Sequence, residues 1–158
     1  MQARSGPVIA FCHSGVYAVH RDRIRGFSEE MARRAPHLPL ARVLFHGDDG
    51  DEARVLLREA LRIWPDLAGF YNAGGANGAL AEELARHPAG HEIFFVGHEL
   101  TDRSGRALRE GIMDVVLDQM PEAQARRAVD LMLHRLGFLK EPVGNPPIRF
   151  VTLTAANV

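Results

Sequence analysis

What constrains this chain most is a rhythm: a short apolar run of strand length, then a longer amphipathic stretch, repeated five times along 158 residues. A strand covered on both faces is short and apolar throughout, whereas a helix lying on a sheet is apolar along one side only. The strand-length runs are Pro7 to Cys12 (PVIAFC), Ala41 to His46 (ARVLFH), Leu67 to Tyr71 (LAGFY), Glu92 to Val96 (EIFFV) and Met113 to Leu117. Helical spacing follows each of them, over Val19 to Ala35, Glu52 to Ile63, Ala79 to Arg86, Arg103 to Glu110 and Pro121 to Leu136. Pro36 and Pro39 end the first helix. Pro121 sits in the first turn of the last, where its missing N–H costs little, and Gly137 is placed to cap that helix. The alternation predicts an α/β fold: an open parallel sheet of about five strands, helices on both faces, joined by right-handed crossovers.

The tail breaks the rhythm. Lys140 to Pro147 holds three prolines with Gly144 and Asn145, so it reads as a connection. Ile148 to Thr154 (IRFVTLT) then alternates as a strand that follows no helix, destined for the sheet edge or a neighbouring lobe. Residues 1–139 are therefore read as one lobe, and 140–158 as a Pro-rich crossover with a terminal strand.

Composition narrows the function classes. Hydrophobic residues make up 46% and charged residues 25%, as in a globular protein. Nineteen Lys and Arg against 20 Asp and Glu leave no overall basic excess for gripping phosphates. A single cysteine, Cys12, excludes an internal disulfide and a cysteine-built zinc site, and reads as a buried small apolar residue. Met1 to Pro7 shows no apolar run of the secretory type, and no stretch approaches membrane-spanning length; a cytoplasmic location without membrane contact is the expectation.

In an open parallel sheet, ligands bind outside the carboxyl ends of the strands. The groups that follow the strands here are Cys12, His13 and Ser14; His46; Asn72; Gly97, His98 and Glu99; and Asp118 with Gln119. Arg23, early in the first helix, can reach the same rim. Singly, such residues often just cap the next helix; their convergence is the stronger signal. The histidines and Glu99 come from separate loops without metal-binding pairs, so no metal and no cofactor are expected. The loop Gly74-Gly75-Ala76-Asn77-Gly78 lies between strand and helix as a phosphate loop would, yet lacks the G-x-G-x-x-G spacing and a lysine.

Five segments in register carry a family resemblance. Arg23-Ile24-Arg25-Gly26-Phe27 resembles the R-x-x-G-F helix start in the effector-binding domain of LacI-family transcriptional regulators. Leu67 to Asn72 with Gly78, Ile93 to Glu99, Asp114 to Gln119, and Arg149 to Val158 are similar to four further segments of that family, in order. The resemblance implies the C-terminal subdomain of a type I periplasmic-binding-protein-like fold, without the helix-turn-helix and N-terminal lobe. It implies a sugar or small polar effector held by Arg23, Asn72 and Glu99, with Gln119 a further pocket position. His13 joins on geometry, and His98 as a stacking face or extra donor. Where many members carry Asn-Asp after the third strand, this chain has Asn72-Ala73-Gly74-Gly75, one carboxylate fewer. The implied protein is not an enzyme. Its partners are the effector, a second copy contacted through the helices at Glu52 to Ile63 and Ala79 to Arg86 and the stretch after Thr101, and operator DNA through the headpiece alone. The alternative is a periplasmic sugar-binding protein of an ABC importer. A receiver-type enzyme is disfavoured, because Cys12-His13 and Asn72 do not supply its acidic cluster. An isolated lobe offers one wall of a cleft, so weak or undetectable sugar binding, and no specific DNA binding, is expected of it.

Overall fold

The computed structural model describes residues 5–158; the first residues, read above as lacking a secretory run, lie partly outside that range. Six strands form one sheet: β1 (Val8–Cys12), β2 (Leu40–Phe45), β3 (Gly69–Asn72), β4 (Phe94–His98), β5 (Val115–Asp118) and β6 (Val151–Leu153). Their spatial order is β2-β1-β3-β4-β5-β6. The first five run parallel, as the alternation predicts. The tail strand β6 takes the sheet-edge option and pairs antiparallel to β5, Leu117 opposite Thr152. Five helices connect them: α1 (Ala18–Arg34), α2 (Gly50–Ile63), α3 (Asn77–Leu84), α4 (Asp102–Arg109) and α5 (Pro121–Arg135).

Local chemistry sets the helix starts. Asp49 accepts hydrogen bonds from the N–H groups of Asp51 and Glu52 at 2.8 and 3.0 Å, which starts α2 two residues before the apolar pattern does. Thr101 and Ser104 form a reciprocal capping box at the head of α4. Gly69 opens β3 for a steric reason: a Cβ there would lie 2.6 Å from the Phe94 carbonyl oxygen.

The two faces of the sheet are unequal. Ile9, Phe11, Phe70, Phe95 and Val116 point to the side covered by α2, α3 and α4, where they meet Leu57, Leu80, Leu84 and Leu108 in one continuous core. The Phe11, Phe70 and Phe95 rings step across three strands, with centroids 5.5 and 4.2 Å apart. Alternate residues face the other side, where Phe27 of α1 stacks on Tyr71 at 4.9 Å. No residue of α1 or α5 is fully buried. Val129, Met132 and Leu136 stand exposed along one side of α5 and its end, with Phe138 beyond. No helix among the described residues is long and apolar enough to cross a membrane.

Candidate functional site

Strands β3, β4 and β5 begin and end later than the apolar runs suggest, so Asn72, His98 and Asp118 are the last residues of strands. The reason is that each polar side chain has a local partner that keeps it in the sheet. Asp118 accepts the N–H of Leu100 and the N–H of Met120, each at 2.7 Å, and ties the loop after β4 to the end of β5. Among the described residues, four that are not glycine adopt positive φ: Asp48, Ala76, Glu99 and Met120. They follow β2, β3, β4 and β5, so the strained backbone is gathered on the rim where the carboxyl ends of the strands open.

Over that rim lies a hollow of about 540 Å³, within the range of small-molecule sites. Arg23, Asp48, His98, Glu99 and Arg103 line it together with the loop Gly74 to Gly78. Arg23 and Glu99, from widely separated segments, thus share one wall. Arg23 donates from Nη1 to the Ala73 carbonyl oxygen at 2.7 Å, which orients its guanidinium and leaves its other N–H groups available. Glu99 takes a short hydrogen bond from Gln119 Nε2 on Oε1, while Oε2 has no protein partner. Gln119 therefore aligns Glu99 and is not itself part of the lining.

Asn72 occupies a different place from the one its position in the chain suggests. It is fully buried. Its Nδ2 donates to the Gly75 carbonyl oxygen and Asn77 Oδ1; its Oδ1 accepts from the Gly74 N–H and sits 3.3 Å from His46 Nε2. An amide has two donors and two lone pairs, and all four are engaged. In this arrangement Asn72 holds the loop beneath the hollow and offers no free atom to a ligand. His46 is the buried post beside it: its Nδ1 accepts the Asp48 N–H at 3.0 Å, so Nε2 carries the proton toward Asn72. Burial holds the His46 pKa below its ordinary value.

His98 is buried, with Nε2 2.6 Å from the Tyr71 hydroxyl. Burial, then the nearby Arg23 charge, pushes its pKa down to about 4, and burial pushes the Tyr71 phenol up to about 12. Both groups are uncharged at neutral pH. His13 stands off the lining, in a ring cluster with Tyr17 and His20 at 5.0 and 5.9 Å. His20 does line the hollow, and burial lowers its pKa. Among the described residues no group of three His, Cys, Asp or Glu side chains is arranged to hold a metal ion. Cys12 is buried in β1, and burial raises its thiol pKa.

Sequence reasoning did not single out Tyr71, Arg103, Asp48 or Asn77. Only the capping signal Thr101-x-x-Ser104 was there to position Arg103, which lies in the first turn of α4 against Gly78. Asn77 donates to the His98 carbonyl oxygen at 2.5 Å and so fastens α3 to β4.

No family model matches the chain, and no curated protein matches it in sequence. Solved structures do match in shape. A glucose-galactose binding protein from Geobacillus stearothermophilus aligns over 98% of this chain and 55% of its own, at 17% identity and a TM-score of 0.82. A solute-binding protein of an ABC transporter from Agrobacterium vitis, bound to α-D-tagatopyranose, covers 98% and 51%, at 22% identity and a TM-score of 0.81. A carbohydrate transporter solute-binding protein from Agrobacterium radiobacter, in complex with D-arabinose, covers 97% and 52%, at 14% identity and a TM-score of 0.83. The chain has the fold of one lobe of these proteins. It spans about half their length. The expected periplasmic-binding-protein-like architecture is present; all three of these structures are of binding proteins, and the two Agrobacterium ones are of transporter solute-binding proteins.

Proposed function

We propose that this lobe binds a sugar in the rim hollow and serves as half of a solute-binding protein for an importer. The observation that carries the reading is the shared wall of Arg23 and Glu99. A guanidinium and a carboxylate with free lone pairs suit vicinal hydroxyls, each of which donates and accepts. The fold likeness to sugar-binding proteins supports it. In this reading a second lobe supplies the facing wall, and ligand favours the closed arrangement because it binds that arrangement better. The exposed apolar side of α5 is surface such a lobe would cover.

The regulator reading rests on one observation, the five segments that resemble those of LacI-family regulators in order. The two differ in what the ligand-bound protein meets: a membrane permease outside the cytoplasm, or operator DNA within it. In the regulator reading the lobe is the effector-sensing and dimerising part, so a strict monomer in concentrated sedimentation runs counts against it.

Titration of the ¹⁵N-labelled chain with pentoses and hexoses, followed by amide shifts, tests the common part. Shifts confined to residues 72–78 and 97–103, abolished by Glu99→Gln together with Arg23→Ala, are expected. A panel of neutral and acidic sugars that leaves these amides unmoved at tens of millimolar rejects sugar binding.

A further inference from the structure

The hollow is lined by two guanidiniums, those of Arg23 and Arg103, that form no ion pair with a carboxylate among the described residues. Arg103 makes no ion pair or hydrogen bond among the described residues, and its side chain is exposed at the mouth of the hollow. It passes close over the start of α3: a Cβ on Gly78 would lie 2.6 Å from Arg103 Cδ, so the glycine leaves room for it. A carboxylate within electrostatic range, Glu82, is already held by Arg54 at 2.7 Å. Arg23 likewise has a carbonyl oxygen, and no carboxylate, as its partner.

His98 adds a third donor, and its tautomer follows from counting orphans. If Nε2 carried the proton, both the buried Tyr71 O–H and the His98 Nδ1 lone pair would lack a partner. If Tyr71 donates to Nε2, a single group is left over, the Nδ1–H. An unpartnered buried polar group is costly, so the second arrangement is favoured. His98, more than nine-tenths buried, is among the residues lining the hollow, and its Nδ1–H, closed off from solvent in this arrangement, finds no acceptor in the protein. On the acceptor side stand Glu99 Oε2 and Asp48, whose Oδ1 already takes the Gly75 N–H at 2.8 Å. Those two can hold hydroxyl protons; the guanidiniums and the Nδ1–H call for oxygens that only accept. First-turn N–H groups of α3 add to the same side, since its N-cap, Ala76, has no side-chain oxygen to give them.

We propose that the hollow selects acidic sugars, the ligand's carboxylate or phosphate being held among the donors of Arg23, His98 and Arg103 while Glu99 and Asp48 take its hydroxyls. This rests on the sugar-binding reading above and names its ligand class. Carboxylate and phosphate share the chemistry of acceptor-only, bidentate oxygens.

The test is an NMR titration of the ¹⁵N-labelled chain at fixed ionic strength with uronates, sugar phosphates, their parent neutral sugars and inorganic phosphate. An acidic sugar is expected to bind about tenfold or more tightly than its neutral parent. The uronate and phosphate arms then say which anionic group is taken. Arg103→Ala should remove most of that advantage and Arg103→Lys retain part of it; the side chain is exposed, so both variants fold. Neutral parents binding as tightly as the acids would overturn the charge preference and leave sugar binding standing. Inorganic phosphate binding as tightly as the sugar phosphates would overturn it too, by showing an anion site with no sugar recognition. No shift from any sugar removes both readings.

Discussion

Single residues on the rim carry opposite burdens. Asn72 spends all its hydrogen-bonding capacity on the loop above it, so Asn72→Ala leaves His46, Asn77 and two backbone groups without partners. A loss of about 2–4 kcal/mol is expected in urea unfolding, out of proportion to the few atoms removed. Ala76 bears a different cost, a left-handed backbone at φ 64° that its Cβ opposes. Ala76→Gly should raise stability by about 0.5–1 kcal/mol, read as a higher urea midpoint at unchanged slope. Asn72 was legible in the sequence as a rim residue, because it follows a strand-length run. That it faces inward was not legible: a strand's last residue can point to either face, and the one-residue extension of β3 to Asn72 decides which.

At the level of elements, the two sides of the sheet should differ in protection. Helices α2, α3 and α4 close over a continuous apolar core, whereas α1 and α5 bury no residue fully. Amide exchange is therefore expected to be faster throughout α1 and α5 than in β1, β3 and α2 by orders of magnitude, opening locally rather than with the whole molecule. Equal protection on both sides would contradict this picture. The start of α2 rests on one side chain, and Asp49→Ala should cost about 1 kcal/mol. The helices themselves were legible from apolar spacing, though with boundaries drawn close to the first apolar residues. The true starts of α2, α3 and α4 lie earlier, since caps and first turns are polar and carry no hydrophobic signal.

The whole molecule responds to pH through its buried imidazoles. His98 has a folded pKa near 4 against 6.5 for the free side chain, and His46 is lowered as well. The unfolded chain takes up these protons first as pH falls. Stability is thus full above about pH 6.5 and declines from there toward pH 4, His98 contributing on the order of 2 kcal/mol after allowance for solvent screening at the rim. Asp114, whose carboxyl pKa burial raises, works in the opposite sense as pH falls through its raised range toward the ordinary carboxylate value, and blunts the fall. Urea midpoints measured from pH 7.5 to 4.5 should show this decline, and His98→Gln should flatten it. A profile that stays level through pH 5 would argue that His98 is not held neutral.

The amino-acid sequence determined the order and kind of the elements, because a buried strand and a surface helix each need their own apolar period and the chain has no other way to cover a sheet. It also named the rim, since parallel strands must all end on one side. Which rim groups face the hollow was settled only in three dimensions. Arg103, from the head of α4, and His98, held from behind by Tyr71, reach one hollow from different elements, and Asn72 is taken out of it. Such choices depend on side-chain direction and on who satisfies whose hydrogen bonds, and these are properties of neighbours brought together by the fold, not of position along the chain.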